Sequence, residues 1–222
     1  MGLFRAAAGV GMAQLILVRH GQASFGAPNY DELSDIGALQ AETVGAFLRA
    51  RTRPTHVASG TMARQRATAE YAVYAAEWVV ECTADPVWNE FDHDDLLGAC
   101  PPDQDRVDLA ARLNRAVDLW ASAGATYPYA ESYAQFCSRV DAALAKLAGH
   151  LSSGDTAVIF TSGGIIARVA TRLLQAGPVQ WRRLNHVTVN TGLTRVAVGS
   201  SGSTLVSFNE HSHLGPRLRT YR

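Results

Sequence analysis

Short β-leaning runs alternate with amphipathic stretches along most of the chain. Residues 14–18, 56–59, 78–81, 156–161, 194–198 and 204–208 are rich in apolar or β-branched side chains and end on turn or charged residues, which predicts six strands. Between them Ile36, Leu39, Val44, Phe47 and Leu48 recur near helical spacing, with Ser34 placed to cap that helix and Arg53-Pro54 to stop it. Leu109, Leu113, Val117 and Trp120 form a second stripe, and Tyr133, Phe136, Val140, Leu144 and Leu147 a third; all three read as core. This alternation predicts an α/β fold, a three-layer α/β/α sandwich around a mostly parallel central sheet. Residues 91–130, with Pro101-Pro102 and few β-leaning runs, read as an insertion within a single domain at 14–222, and residues 1–13 as a flexible N-terminal extension.

The first strand ends on Arg19-His20-Gly21. In an open α/β sheet the carboxyl ends of parallel strands face the ligand crevice, so residues there are placed for chemistry. Arg19 offers a planar fork for phosphoryl oxygens, His20 a nucleophile near neutral pH, and Gly21 room for a group to approach the backbone. Taken alone the tripeptide is also compatible with a structural histidine at a strand end.

Three further blocks follow in order: Leu33-Ser34-Asp35-Ile36-Gly37-Ala38-Leu39-Gln40-Ala41, then Ser59-Gly60-Thr61-Met62-Ala63-Arg64-Gln65-Arg66-Ala67-Thr68-Ala69, then Trp88-Asn89-Glu90-Phe91. Together with the first block they resemble the histidine phosphatase superfamily, with its phosphoglycerate mutase-like fold, from about residue 14 to the end. The resemblance is strongest to a bacterial branch that opens Arg-His-Gly-Gln-Ala-Ser-Phe-Gly, as residues 19–26 do. It implies a metal-independent phosphomonoester hydrolase needing no cofactor. His20 would carry the phosphoryl group, Arg19 and Arg64 would clamp its oxygens, and Glu90, its pKa raised by burial, would protonate the leaving alkoxide. Arg66, two residues beyond Arg64 on a helix, points elsewhere. The insertion at 91–130 would lie over the site and tune substrate choice.

One departure from the family pattern matters more than the matches. The strand ending Val158-Ile159-Phe160 runs into Thr161-Ser162-Gly163-Gly164, so Ser162 stands where the family usually has a second catalytic histidine. A hydroxyl can bond a phosphoryl oxygen but carries no positive charge. Losing one preorganised donor commonly costs about 10²–10³ in rate, so turnover is expected to be weak or restricted. The amides of Gly163 and Gly164 at the following helix start still favour an anion. His186, His211 and His213 are the candidates to compensate, although residues 209–214 also resemble a family ending whose last histidine is structural. Gly26 in place of a frequent asparagine, and Gln22-Ala23 in place of Glu-Thr, argue against a mutase. A non-catalytic phosphate-ligand binder on the same fold remains the alternative.

Other motifs carry less. Phe160 breaks the Gly-x-Ser-x-Gly elbow that a serine hydrolase would place at Ser162. Asp92-His93-Asp94-Asp95 is dense in metal-type ligands, but adjacent residues rarely converge on one ion; it reads as a solvated loop beside the site, with Asp92 or His93 touching substrate as the alternative. No metal site is assigned. Lys plus Arg and Asp plus Glu both number 20 in a chain of 222 residues, so no net field recruits nucleic acid or an anionic membrane. The expected partner is a small phosphorylated metabolite, with a homodimer as the base-rate assembly. Three cysteines, Cys82, Cys100 and Cys137, in no ligand spacing suit reduced thiols and a cytoplasmic location. Residues 1–11 are too weakly apolar for a signal peptide, and Met12 is an alternative start.

Overall fold

The computed structural model describes residues 11–24, 31–100, 108–122 and 129–221. Six strands, β1 (Ala13–Arg19), β2 (His56–Ser59), β3 (Cys82–Ala84), β4 (Thr156–Thr161), β5 (Leu193–Gly199) and β6 (Gly202–Glu210), form one sheet in the order β3-β2-β4-β1-β5-β6. The pairs β3–β2, β2–β4 and β4–β1 are parallel, whereas β5 runs antiparallel to β1 and β6 antiparallel to β5. The sheet is therefore mostly parallel, with an antiparallel edge.

The layers follow from strand period two. Leu15, Leu17 and Ile159 point to one face, where they join Trp88, Phe91, Trp120, Phe136 and Trp181; Ile16, Val18, Val158 and Phe160 point to the other and meet Val44, Leu48, Ala69 and Ala72. A strand with both faces apolar has to be covered twice. Helices α1 (Asp35–Arg49) and α2 (Ala63–Ala76) cover the second face. Helices α4 (Leu109–Ser122), α5 (Tyr133–His150), α6 (Gly163–Leu173) and α7 (Pro178–Val187), with the short α3 (His93–Ala99), supply the first. The expected three-layer α/β/α architecture is the one observed. Ser34 caps α1 as its position predicts, its Oγ accepting from the Gly37 amide at 3.1 Å.

One expectation shifts. The third strand lies at Cys82–Ala84 and not at residues 78–81, because α2 ends in a left-handed Glu77 and the chain only then comes into register with β2, Val57 opposite Cys82. The apolar rhythm of Trp78 and Val80 reflects a loop packed on the core, with Val79 fully exposed between them. His186 stands on the last turn of α7, a helix opened by Pro178 at its first position. Most of the N-terminal extension, Gly26 and Pro101-Pro102 lie outside the described residues. No described helix is long and apolar enough to cross a membrane.

Candidate active site

The β1–β4 register sets Arg19 opposite Thr161, and the His20 amide continues the ladder by donating to the Thr161 carbonyl at 2.8 Å. His20 and Ser162 are thus brought together at the ends of adjacent parallel strands. Thr68 ties α2 to the same point, accepting from the Gly21 amide at 2.9 Å and donating to the Arg64 carbonyl at 2.6 Å. Glu90 arrives on the segment after a single helical turn, Pro86–Trp88, capped by Asp85. That segment is pinned by Thr161 Oγ1 on the Trp88 carbonyl (2.6 Å) and by Arg139 on the Val87 and Asn89 carbonyls (2.8 and 2.9 Å).

Arg19, His20, Arg64 and Glu90 line one cavity of about 120 Å3, together with Phe91, His93, Leu113, Val117, His186 and Tyr221 among others. A larger groove of about 670 Å3 between β2, β3 and α5 shares none of these residues.

The tautomer of His20 is set by its own backbone. Nδ1 lies 2.7 Å from the Gly21 carbonyl and must donate there, which leaves the Nε2 lone pair for chemistry. Burial, then the Arg64 and Arg19 guanidiniums, hold the His20 pKa well below the usual imidazole value, so the ring is neutral at physiological pH. Arg64 Nε donates to that Nε2 at 3.2 Å, and Arg64 Nη1 pairs with Asp31 at 2.5 Å. Arg19 is anchored by the Thr188 and Tyr221 carbonyls, the latter at 2.8 Å, so the C-terminal segment forms part of the wall. Burial raises the Glu90 pKa, against the opposing effects of the Gly164 amide and Arg64.

Several expected roles are displaced. Ser162 is fully buried beneath the cavity and does not line it; its Oγ accepts from Gln65 Nε2 at 2.8 Å. The Gly164 amide is already taken, since it donates to Glu90 Oε2 at 2.8 Å. Gly21 provides no room for a ligand: a Cβ there would lie 2.4 Å from the Gly37 carbonyl oxygen, so its missing side chain is what lets α1 approach β1. Gly163 sits at the start of α6 against Asn185 and Arg19. Among the three histidines proposed to compensate, only the exposed His186 reaches the cavity. His211 Nδ1 is 2.6 Å from the Asn209 carbonyl, and His213 packs on Phe47 at 5.3 Å with Nε2 near Thr191 Oγ1.

His93 is the cavity residue that the solvated-loop reading misplaces. It opens α3, capped by Asp92, whose Oδ1 accepts from the Asp94 and Asp95 amides. A signal existed: Asp92 followed by Leu96 and Leu97 is a capped helix whose buried stripe, at i+3 and i+4 from residue 93, faces His93 inward.

A neutral imidazole, two guanidiniums and a buried carboxyl group stand together on the carboxyl edge of a parallel sheet, a set of groups that phosphoryl chemistry can use. Residues 15–211 match the histidine phosphatase superfamily (branch 1), and the chain belongs to that family. No curated protein matches it. Among solved structures it is similar to phosphoserine phosphatase from Entamoeba histolytica, solved with phosphoserine (20% identity, 92% of this chain and 100% of that one, TM-score 0.68). It is similar also to phosphoglycerate mutase from Bacillus anthracis (16%, 92% and 96%, 0.68) and to a mycobacterial glucosyl-3-phosphoglycerate phosphatase (20%, 90% and 100%, 0.63). At these identities the likeness is one of fold.

Proposed function

We propose that this chain hydrolyses phosphomonoesters through a phosphohistidine at His20. The observation that carries the reading is the pairing of a neutral, tautomer-fixed imidazole with a buried acid on the same small cavity. Binding alone requires neither group. In the first step the His20 Nε2 lone pair forms the N–P bond as the P–O bond to the leaving group breaks, and Glu90 gives its proton to the departing oxygen. In the second, a water oxygen attacks phosphorus, the N–P bond breaks, and the water proton returns to Glu90. Arg64 Nε must release the His20 Nε2 lone pair for that nitrogen to attack, so substrate binding exchanges this contact of the guanidinium for a charge-assisted one to a phosphoryl oxygen, for which Asp31 competes.

The substrate is a small phosphorylated metabolite. Phe91, Leu113 and Val117 make one wall apolar, and Arg19 and Arg64 are the Lys or Arg residues among the cavity-lining ones. This favours a compact leaving group without a carboxylate or second phosphate. That the described lining residues include two cations, Arg19 and Arg64, also weighs against a mutase, which has to retain a bisphosphate.

The test is phosphate release from a panel of neutral and carboxylated phosphomonoesters by wild type and His20→Ala, with acid-labile, alkali-stable phosphoenzyme trapped by rapid quench. Turnover and trapped phosphoenzyme that both vanish in the variant support hydrolysis through His20. Inorganic phosphate that stabilises the fold without any turnover above the variant would instead identify a binding module, the reading that Ser162 favours.

A further inference from the structure

The phosphoryl group in flight spreads its charge over three equatorial oxygens. Two guanidiniums, Arg19 and Arg64, converge on the cavity, and the hydroxyl at position 162 is turned into the floor toward Gln65. His93, the first residue of α3, lines the same cavity. Its ring meets Phe91 edge-on, with centroids 4.9 Å apart and planes at 67°. Phe91 is itself 3% exposed and packed against Trp120, Phe136 and Trp181, so the imidazole rests against a ring held by the core.

The electrostatics agree with this placement. Burial, then Arg64, and more weakly Arg19, lower the His93 pKa to about 4, with Asp92 opposing; His93 in turn acts on His20. The ring is therefore within the field of the residues that would hold phosphorus. A phosphoryl group carrying roughly −1.5 to −2 charges beside those guanidiniums would reverse that field and favour the imidazolium. His186 reaches the cavity too, but as an exposed residue at the end of α7.

We propose that His93 is the second imidazole of this phosphoryl site, donating to a phosphoryl oxygen from α3 in place of the contact that Ser162 does not supply. The inference rests on the phosphatase reading above and deepens it. Two substitutions separate donation from packing. His93→Gln keeps a hydrogen-bond donor and discards the ring; His93→Phe keeps a ring edge against Phe91 and discards the donor.

On the ester that wild type turns over best, His93→Phe is expected to lose about 10²–10³ in kcat, the usual cost of one transition-state donor, and His93→Gln to retain clearly more. Both should melt close to wild type, and inorganic phosphate should raise the Tm of His93→Phe less than that of wild type. If His93→Phe keeps kcat within threefold of wild type while His20→Ala is dead, the proposal is overturned and the phosphatase reading stands. If His93→Gln falls further than His93→Phe, the ring acts through packing, which overturns the proposal as well. A wild type without turnover on any ester removes both.

Discussion

Glu90 and Gly164 are fitted so closely that one methyl group should separate activity from folding. In Gly164→Ala the added Cβ would lie 2.3 Å from Glu90 Oε1 and 2.9 Å from Phe91 Cε1. Ordinary contact begins near 3.4 Å, so the carboxyl oxygen has to retreat by about 1 Å, a displacement of the size that costs about 10²-fold in catalysis. Phe91 cannot give way instead, because three other aromatic rings hold it. The carboxylate is also bound by the Gly164 amide at 2.8 Å, so the strain falls on the contact that positions the acid.

Overpacking of this kind costs about 1–3 kcal/mol of stability, visible as a lowered Tm or denaturant midpoint. The kinetic signature is more specific. For an alkyl phosphate, whose leaving oxygen needs a proton, kcat should drop by about 10² or more; for a nitrophenyl phosphate, whose leaving group departs unprotonated, the drop should be much smaller. Gly149→Ala in α5, where a Cβ meets nothing within 4 Å, is the control and should leave activity unchanged with stability equal or higher by up to about 1 kcal/mol. Equal kcat in wild type and Gly164→Ala on the alkyl ester, at unchanged Tm, would refute the close fit and with it the assignment of Glu90 as the acid.

Three further outcomes are expected. The pH profile of kcat/KM should rise as His20 loses its proton, well below the usual imidazole pKa, and fall as Glu90 loses its own above the ordinary carboxylate range; Glu90→Gln should abolish the upper limb. His213, held at about 4 by burial and by His211 against the effects of Thr191 and Glu210, is protonated first in the unfolded chain, so stability should fall from pH 6.5 down to about 4. That shift from 6.5 is worth at most about 3 kcal/mol, and melting curves of His213→Gln across this range should be correspondingly flatter. Asp31→Asn removes the carboxylate that competes with phosphate for Arg64, so phosphate should bind several-fold more tightly by calorimetry, at a cost of about 1 kcal/mol from the weakened partner of the Ala63 amide at the start of α2.

The parts of the site readable in the sequence are those whose direction follows from backbone alone. Arg19 and His20 close a strand apolar on both faces, so they had to emerge at the carboxyl edge of a covered sheet. Arg64, in the first turn of α2, faces inward because the buried stripe of that helix continues through Thr68, Ala69 and Ala72. What stayed hidden depends on partners far along the chain. That Gly21 serves the approach of α1 is decided by Gly37, and that His211 and His213 fold away from the cavity is decided by Asn209, Phe47 and Thr191. The boundary of β3 was lost for a similar reason, since its register belongs to β2 and not to the apolar rhythm of Trp78 and Val80.

Ser162 shows why reading one position at a time misjudges such a site. Gln65 is wholly buried, and its side-chain amide nitrogen donates to Ser162 Oγ at 2.8 Å and to the Trp88 carbonyl at 3.2 Å. That carbonyl also accepts from Thr161, two residues before the segment's acid is presented at Glu90. Serine at 162 is therefore the acceptor that ties α2 to the start of α6, through the same buried amide that holds the Trp88 carbonyl, and a buried donor that loses a partner costs about 1–3 kcal/mol. An imidazole reaching up from 162 into the cavity would give up the hydrogen bond from Gln65, whereas one reaching across from α3 at 93 leaves it whole. The small hydroxyl at the N-cap position of α6 and the ring on α3 are on this account two halves of one arrangement, in which Thr161 and Gln65 hold the Glu90 segment from below and the insertion supplies the donor.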